Sequence, residues 1–245
     1  MTHRNPIALL VLAGAGLMAA REPATAQAAK PTVAIMYFNN NVFTKDARDY
    51  DGLTKGVPDF LVSEMSSNPN IRVIERDQVQ KLIDEQKLVG AGQVDRESAV
   101  KVGKLLGAQH MIFGGYMADT KGNFRIDARA VNVETGAIEF TDRVQDRSEN
   151  VMGLVSQLAG RLNAGLKLPA SPTRTGDAGG AGAQQAGSPV TTKLPMRAAV
   201  LYGKALDMAD KGDKARAVEL FGAVLKEFPD YTPARTGMAK VQPNK

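Results

Sequence analysis

"VIERDQVQKLIDEQKLVGAGQVDRESAVKVGKLLGAQHMIFGGY", Val73–Tyr116, is the stretch whose reading decides the fold. It begins inside a strand-like run, "IRVIER" (Ile71–Arg76), and ends on a second one, "HMIFGGYMA", with two helical patterns between them. In the first pattern Val79, Leu82 and Ile83 recur on one helix face, and Asp77 with Gln80 three residues on has the form of a capping box. After the Gly90-Ala91-Gly92 loop, Asp95 is placed to cap a second helix whose Ala99, Val102 and Leu106 share a face, and Gly107 ends it. The closing strand is apolar throughout, as expected where both faces of a sheet are covered.

Upstream, "TVAIMYF" (Thr32–Phe38) predicts a buried first strand. Leu53, Val57, Phe60, Leu61 and Met65 then follow at helical spacing, with Pro58 near the first turn or at a mild kink. Downstream, "GNFRIDARAVNV" alternates, with Phe124, Ile126, Ala128 and Ala130 on one side and Arg125, Asp127 and Arg129 on the other. Glu134-Thr135-Gly136 makes a hairpin turn, "AIEFTDRV" returns, and Val151, Leu154, Val155, Leu158 and Leu162 predict a closing amphipathic helix. The order β-α-β-α-α-β-β-β-α predicts an α/β domain over residues 32–168.

Composition changes at residues 169–194, where Gly, Ala, Ser and Pro offer almost nothing to bury and predict a flexible linker. Residues 195–241 predict a small α-helical hairpin. Tyr202, Ala205 and Leu206 line one helix, Gly212-Asp213 turns, Ala217, Leu220, Phe221 and Val224 line the next, and Pro229 stops it. This segment resembles a tetratricopeptide unit, with the start of a third helix after it. A single repeat cannot cover its own apolar face, so it is expected on the main domain, on another copy or on a ligand peptide.

At the other end, His3 and Arg4 precede an apolar run of about 14 residues, short of the roughly 20 a spanning helix needs. Ala24-Thr25-Ala26 follows as a small-x-small signal, so residues 1–26 read as a signal peptide cleaved after Ala26. Gly14 to Ala19 matches a dinucleotide fingerprint, yet Pro23 and Pro31 leave no room for the helix that motif must open.

The chain has no cysteine and only two histidines, which removes disulfides, thiolate catalysis, Cys-ligated zinc and a lipidated cysteine. His110 reads as an ordinary strand-edge histidine rather than a triad member. The net charge of +5 is scattered among 31 basic and 26 acidic residues, without a Lys or Arg block, so no nucleic-acid partner is expected. Neither a cofactor nor a metal is expected. A hydrolase using Glu75 or Asp84 would need carboxylates converging across a substrate. Asp77 instead reads as a cap, while Asp84 and Glu85 point away from the apolar stripe. The chain is read as non-enzymatic.

The opening stretch followed by "ARAVNVETGAI" resembles the CsgG family, the curli production assembly/transport component, and its soluble relatives in bacterial envelopes. The likeness is carried by Val73–Asp77, Leu82 with Glu85-Gln86, Gly103–Ala108, Gly114-Gly115 and Val131–Gly136, over roughly residues 32–166. The resemblance implies a mixed sheet flanked by helices, an exported periplasmic location and side-by-side assembly with envelope proteins or further copies of the chain. It also implies a role in curli-type secretion or envelope biogenesis. Alternatives are a ring-forming outer-membrane channel subunit and an activator of a cell-wall synthase. Channel members insert long hairpins between strands, whereas only "MADTKGN" precedes Phe124 here, and Arg48, Gly52 and Leu53 occupy the places of the channel constriction residues. No transmembrane span is expected in the mature chain, though peripheral outer-membrane association fits. The interface candidates are Glu75, Asp84, Glu85 and Lys87 on the charged helix, and Tyr202, Leu206, Leu220 and Phe221 on the repeat face.

Overall fold

The structure is a computed structural model, and it describes residues 29–87, 94–171 and 194–242. The signal peptide, the Gly14–Ala19 motif, the Gly90-Ala91-Gly92 loop and most of the linker lie outside the described residues.

The elements follow the predicted order. They are β1 (Thr32–Asn40), α1 (Leu53–Ser66), β2 (Arg72–Val73), α2 (Arg76–Gln86), α3 (Arg96–Leu106), β3 (His110–Ala118), β4 (Asn123–Asn132), β5 (Ile138–Arg147) and α4 (Val151–Gly165). Three further helices close the chain: α5 (Met196–Asp210), α6 (Lys214–Glu227) and α7 (Thr232–Val241). This is a mixed α/β fold on one five-stranded sheet of order β2-β1-β3-β4-β5. β1 pairs in parallel with β2 and β3, and β3, β4 and β5 form an antiparallel meander.

The chain leaves β1 to one side and returns to its other side, so right-handed crossovers require helices on opposite faces. The two cores match that requirement. Val33, Ile35, Phe38, Ile112, Tyr116 and the apolar side of β4 pack with α1 and α4, and this core continues into α5–α7. Ala34, Met36, Met111 and Phe113 pack with α2 and α3 on the other face. Alternation along β1 supplies both cores, and a register shift between Ile35 and Phe38 sets Met36 and Tyr37 in the same one.

Local signals account for most boundaries. Asp95 and Ser98 form a reciprocal capping box on α3, and Gly107 ends it with φ +64°. The hairpin turn carries Gly136 at φ +71°. Two expectations need correction. α2 begins at Arg76, so Asp77 lies inside its first turn and Gln80, its supposed capping partner, is buried. Pro58 sits well inside α1 rather than near its first turn. β2 is also shorter than the apolar run that predicted it.

Candidate functional site

The charged stretch and the C-terminal helices meet where α1, α2 and α5 converge, beside the carboxyl-terminal half of β1. Two glycines make the meeting possible. A Cβ on Gly203 of α5 would stand 1.8 Å from the Gly52 carbonyl oxygen, and one on Gly52 would stand 2.1 Å from that of Val200. With the backbones in contact, Tyr202 stacks on Phe60 of α1 at 5.5 Å and 17°. Tyr231 meets the Tyr202 ring edge-on at 5.4 Å, and Phe221 packs at 5.8 Å.

Around this aromatic contact lies a charge cluster largely withdrawn from water. Arg76 grips Asp210 of α5 with two bonds, of 2.8 and 3.0 Å, and its Nε lies 3.4 Å from Asp59 of α1. The Tyr202 hydroxyl donates to the other Asp59 oxygen at 2.6 Å. Lys55 Nζ stands 3.5 Å from Asp210 and 3.5 Å from the centre of the Tyr37 ring. Both Lys55 and the Tyr37 hydroxyl donate to Gln80 Oε1. The Gln80 amide nitrogen then donates to both oxygens of Asp84, at 2.7 and 2.8 Å. Two cations face two carboxylates, as burial of charge requires.

Burial sets the ionisation of this cluster. It raises the Asp59 carboxyl above its ordinary range, with the Tyr202 hydroxyl and Arg76 opposing. It also raises the Tyr37, Tyr202 and Tyr231 phenols. For Arg76 burial works downward and is the largest single influence, but the hydrogen bonds and charge of Asp210 together with the charge of Asp59 outweigh it, and the guanidinium stays charged. Lys55 is pushed down to about 8, chiefly by burial against the pull of Asp210. A lysine with a lowered folded pKa binds fewer protons folded than unfolded, so stability rises with pH between about 8 and its ordinary 10.5. Unfolding followed from pH 8 to 9.5 is expected to show a gain of roughly 1 kcal/mol that Lys55→Met abolishes. The buried tyrosines act in the opposite sense only above about pH 10.

The eight interface candidates divide into two groups. Glu75, Asp84, Glu85 and Lys87 are exposed on or beside α2, with Asp84 held by Gln80. Tyr202, Leu206 and Phe221 are buried, at 2%, 6% and 0% exposure, and Leu220 is half-buried. The expectation that the repeat face meets another molecule is therefore corrected for those three side chains: the chain covers the face itself, with α1 against α5 and with α5 and α7 against Phe221. Tethering gives α1 an effective concentration that a separate partner must exceed.

Arg76, Asp59, Lys55, Tyr37 and Asp210 were not singled out from the sequence, and Gln80 only as a capping partner. A signal existed for two of them. Arg76 and Gln80 fall at helical spacing with Val79 and Ile83, which places polar side chains on a stripe destined for burial.

Among the described residues no group of three or more His, Cys, Asp or Glu is arranged to hold a metal, and no helix is long and apolar enough to cross a membrane. No curated protein matches the chain in sequence. Several solved structures are similar to it at low identity. Lipoprotein GNA1162 from Neisseria meningitidis is 14% identical over 56% of this chain and 96% of its own, with a TM-score of 0.36. LpoB from E. coli is 12% identical over 58% and 82%, with a TM-score of 0.37. The PelC dodecamer from Paraburkholderia phytofirmans is 10% identical over 58% and 89%, with a TM-score of 0.36. In sequence, residues 17–122, ending at the turn between β3 and β4, match the family described as curli production assembly/transport component CsgG.

Proposed function

We propose that the chain is a non-enzymatic, exported cell-envelope protein, acting as a periplasmic assembly or interaction module in curli-type secretion or envelope biogenesis. The observation that carries this reading is the match of residues 17–122 to the CsgG family. The buried charges support it. Arg76, Lys55, Asp59 and Asp210 are spent on one another and on joining helices, which is the work of a scaffold.

Two connections favour the module over a channel subunit. β3 and β4 are joined by residues 119–122, and β5 enters α4 through Ser148–Asn150. A membrane-crossing hairpin needs about 9–11 residues in each strand. The reading of α5 and α6 as a tetratricopeptide-like unit belongs to the same proposal, and activation of a cell-wall synthase is its alternative.

A photo-crosslinking residue at Glu85 tests the reading in cells. The protein is expected in the periplasmic fraction, giving a discrete adduct with another envelope protein that is missing when the probe sits at the exposed Lys121 turn. Retention in the cytoplasm, or identical adducts from both positions, would count against it.

A further inference from the structure

The helices α2 and α3 cover β2, β1 and β3 on their face of the sheet, and α3 reaches Val131 at the carboxyl end of β4. Across the rest of β4 and across β5 the same face stays open, and the alternation of β4 brings Arg125, Asp127 and Arg129 there. The register sets Gln145, Arg143 and Thr141 of β5 opposite them in turn. A groove of about 370 Å3 runs from this row to the carboxyl ends of β1 and β3, between Asn39, Asn41, Phe43, Phe113 and Met117. Open α/β sheets bind ligands outside the carboxyl ends of their parallel strands.

We infer that this groove binds an extended, acidic segment of a partner protein. The charges favour it. Arg125 is engaged by Asp127 at 2.8 Å, while the exposed side chains of Arg129 and Arg143 have no ion-pair partner among the described residues. Arg147, further along β5, meets the exposed Glu149 at 3.9 Å and donates to the Lys121 carbonyl at 3.3 Å. Cations left uncompensated on one face select an anionic partner and speed its approach. Phe43, at the rim, is 86% exposed, a large ring left in water beside the groove. The occupant is therefore expected to carry an apolar side chain as well as carboxylates.

The free edge of β5 argues that the segment crosses the sheet face instead of adding as a further strand. Asp142 and Asp146 accept the outward N–H groups of Arg143 and Arg147, and Arg161 reaches the Arg143 carbonyl at 3.5 Å. Those groups are occupied, which blunts the edge. Asp127, set between the arginines, disfavours a continuous polyanion such as nucleic acid and suits discrete carboxylates. Arg129 and Arg143 are diagonal neighbours on adjacent strands, about 7–8 Å apart, so carboxylates about two residues apart in an extended peptide match them. The groove is distinct from the exposed edge of α2, and binding by the purified chain stands or falls independently of where the protein resides.

Random dodecapeptides displayed on phage and selected on the purified full-length chain supply the probe. Enriched sequences are expected to pair two carboxylates with an apolar residue. A fluorescein-labelled copy should lose affinity about tenfold or more in R129E/R143E, and also weaken in F43A and in high salt. All three residues are exposed, so unchanged thermal unfolding of both variants keeps the comparison valid. Selection without acidic enrichment, or equal binding by R129E/R143E, overturns the inference. So does equal competition by an oligodeoxythymidylate. Self-association in light scattering that the same substitutions abolish assigns the groove to a second copy and overturns it too.

Discussion

Alanine in place of Arg76 is expected to destabilise the folded chain by about 3–5 kcal/mol, the cost of removing one partner from a buried ion cluster. Arg76 is 8% exposed and is the only cation bonded to Asp210 through two hydrogen bonds; it also stands beside Asp59. Its removal leaves two carboxylates facing each other across α1 and α5, with Lys55 alone to offset them. Adding Asp210→Ala should restore part of the loss, because the variant then buries one fewer unpaired charge. Urea unfolding of the single and double variants measures both effects. A loss below about 1 kcal/mol for the single change would mean that the cluster is solvated and does not hold the helices.

Valine at Gly203 should separate the C-terminal helices from α1. The obstruction begins at Cβ, 1.8 Å from the Gly52 carbonyl oxygen, so no choice of rotamer relieves it and α5 must retreat. Retreat breaks the stacking of Tyr202 on Phe60 and lengthens the Tyr202 hydroxyl bond to Asp59. Overpacking of this kind costs about 1–3 kcal/mol, before the lost aromatic contact is counted. With a protease site placed within residues 172–193 and cleaved, the unsubstituted fragments are expected to elute together and the Gly203→Val fragments apart. Gly222→Ala serves as the control. A Cβ there meets nothing within 4 Å, so the change should be neutral or stabilise α6 by up to about 1 kcal/mol. Co-elution of the Gly203→Val fragments would place the docking energy elsewhere.

Both expectations rest on residues that a linear reading passes over. Charge on the α2 stretch was visible, but a guanidinium on an apolar stripe has the same letter whether it meets water or Asp210, more than a hundred residues away. The capping-box reading failed at Asp77 for a related reason. Gln80 has partners in Tyr37 and Lys55 that draw its side chain inward, and the helix starts two residues earlier, with Glu75 at the N-cap. At Asp95 the same local pattern held, because Ser98 is exposed and meets no competing long-range partner.

By itself the sequence determined the order of elements and the polarity of each face, because period 2 on β4, period 3.6 on α4 and the glycine at Gly107 are local constraints on backbone and burial. Tertiary structure alone decided two matters. It chose α1 as the cover for the apolar face of α5, and α7 as the further cover for α6, where another copy or a peptide would have satisfied the same pattern. It also ended the α2–α3 layer at the Val131 end of β4, leaving the arginines of β4 and β5 uncovered. Both outcomes depend on which surfaces meet across the chain, and burial energy rewards any apolar cover of the right shape without naming it.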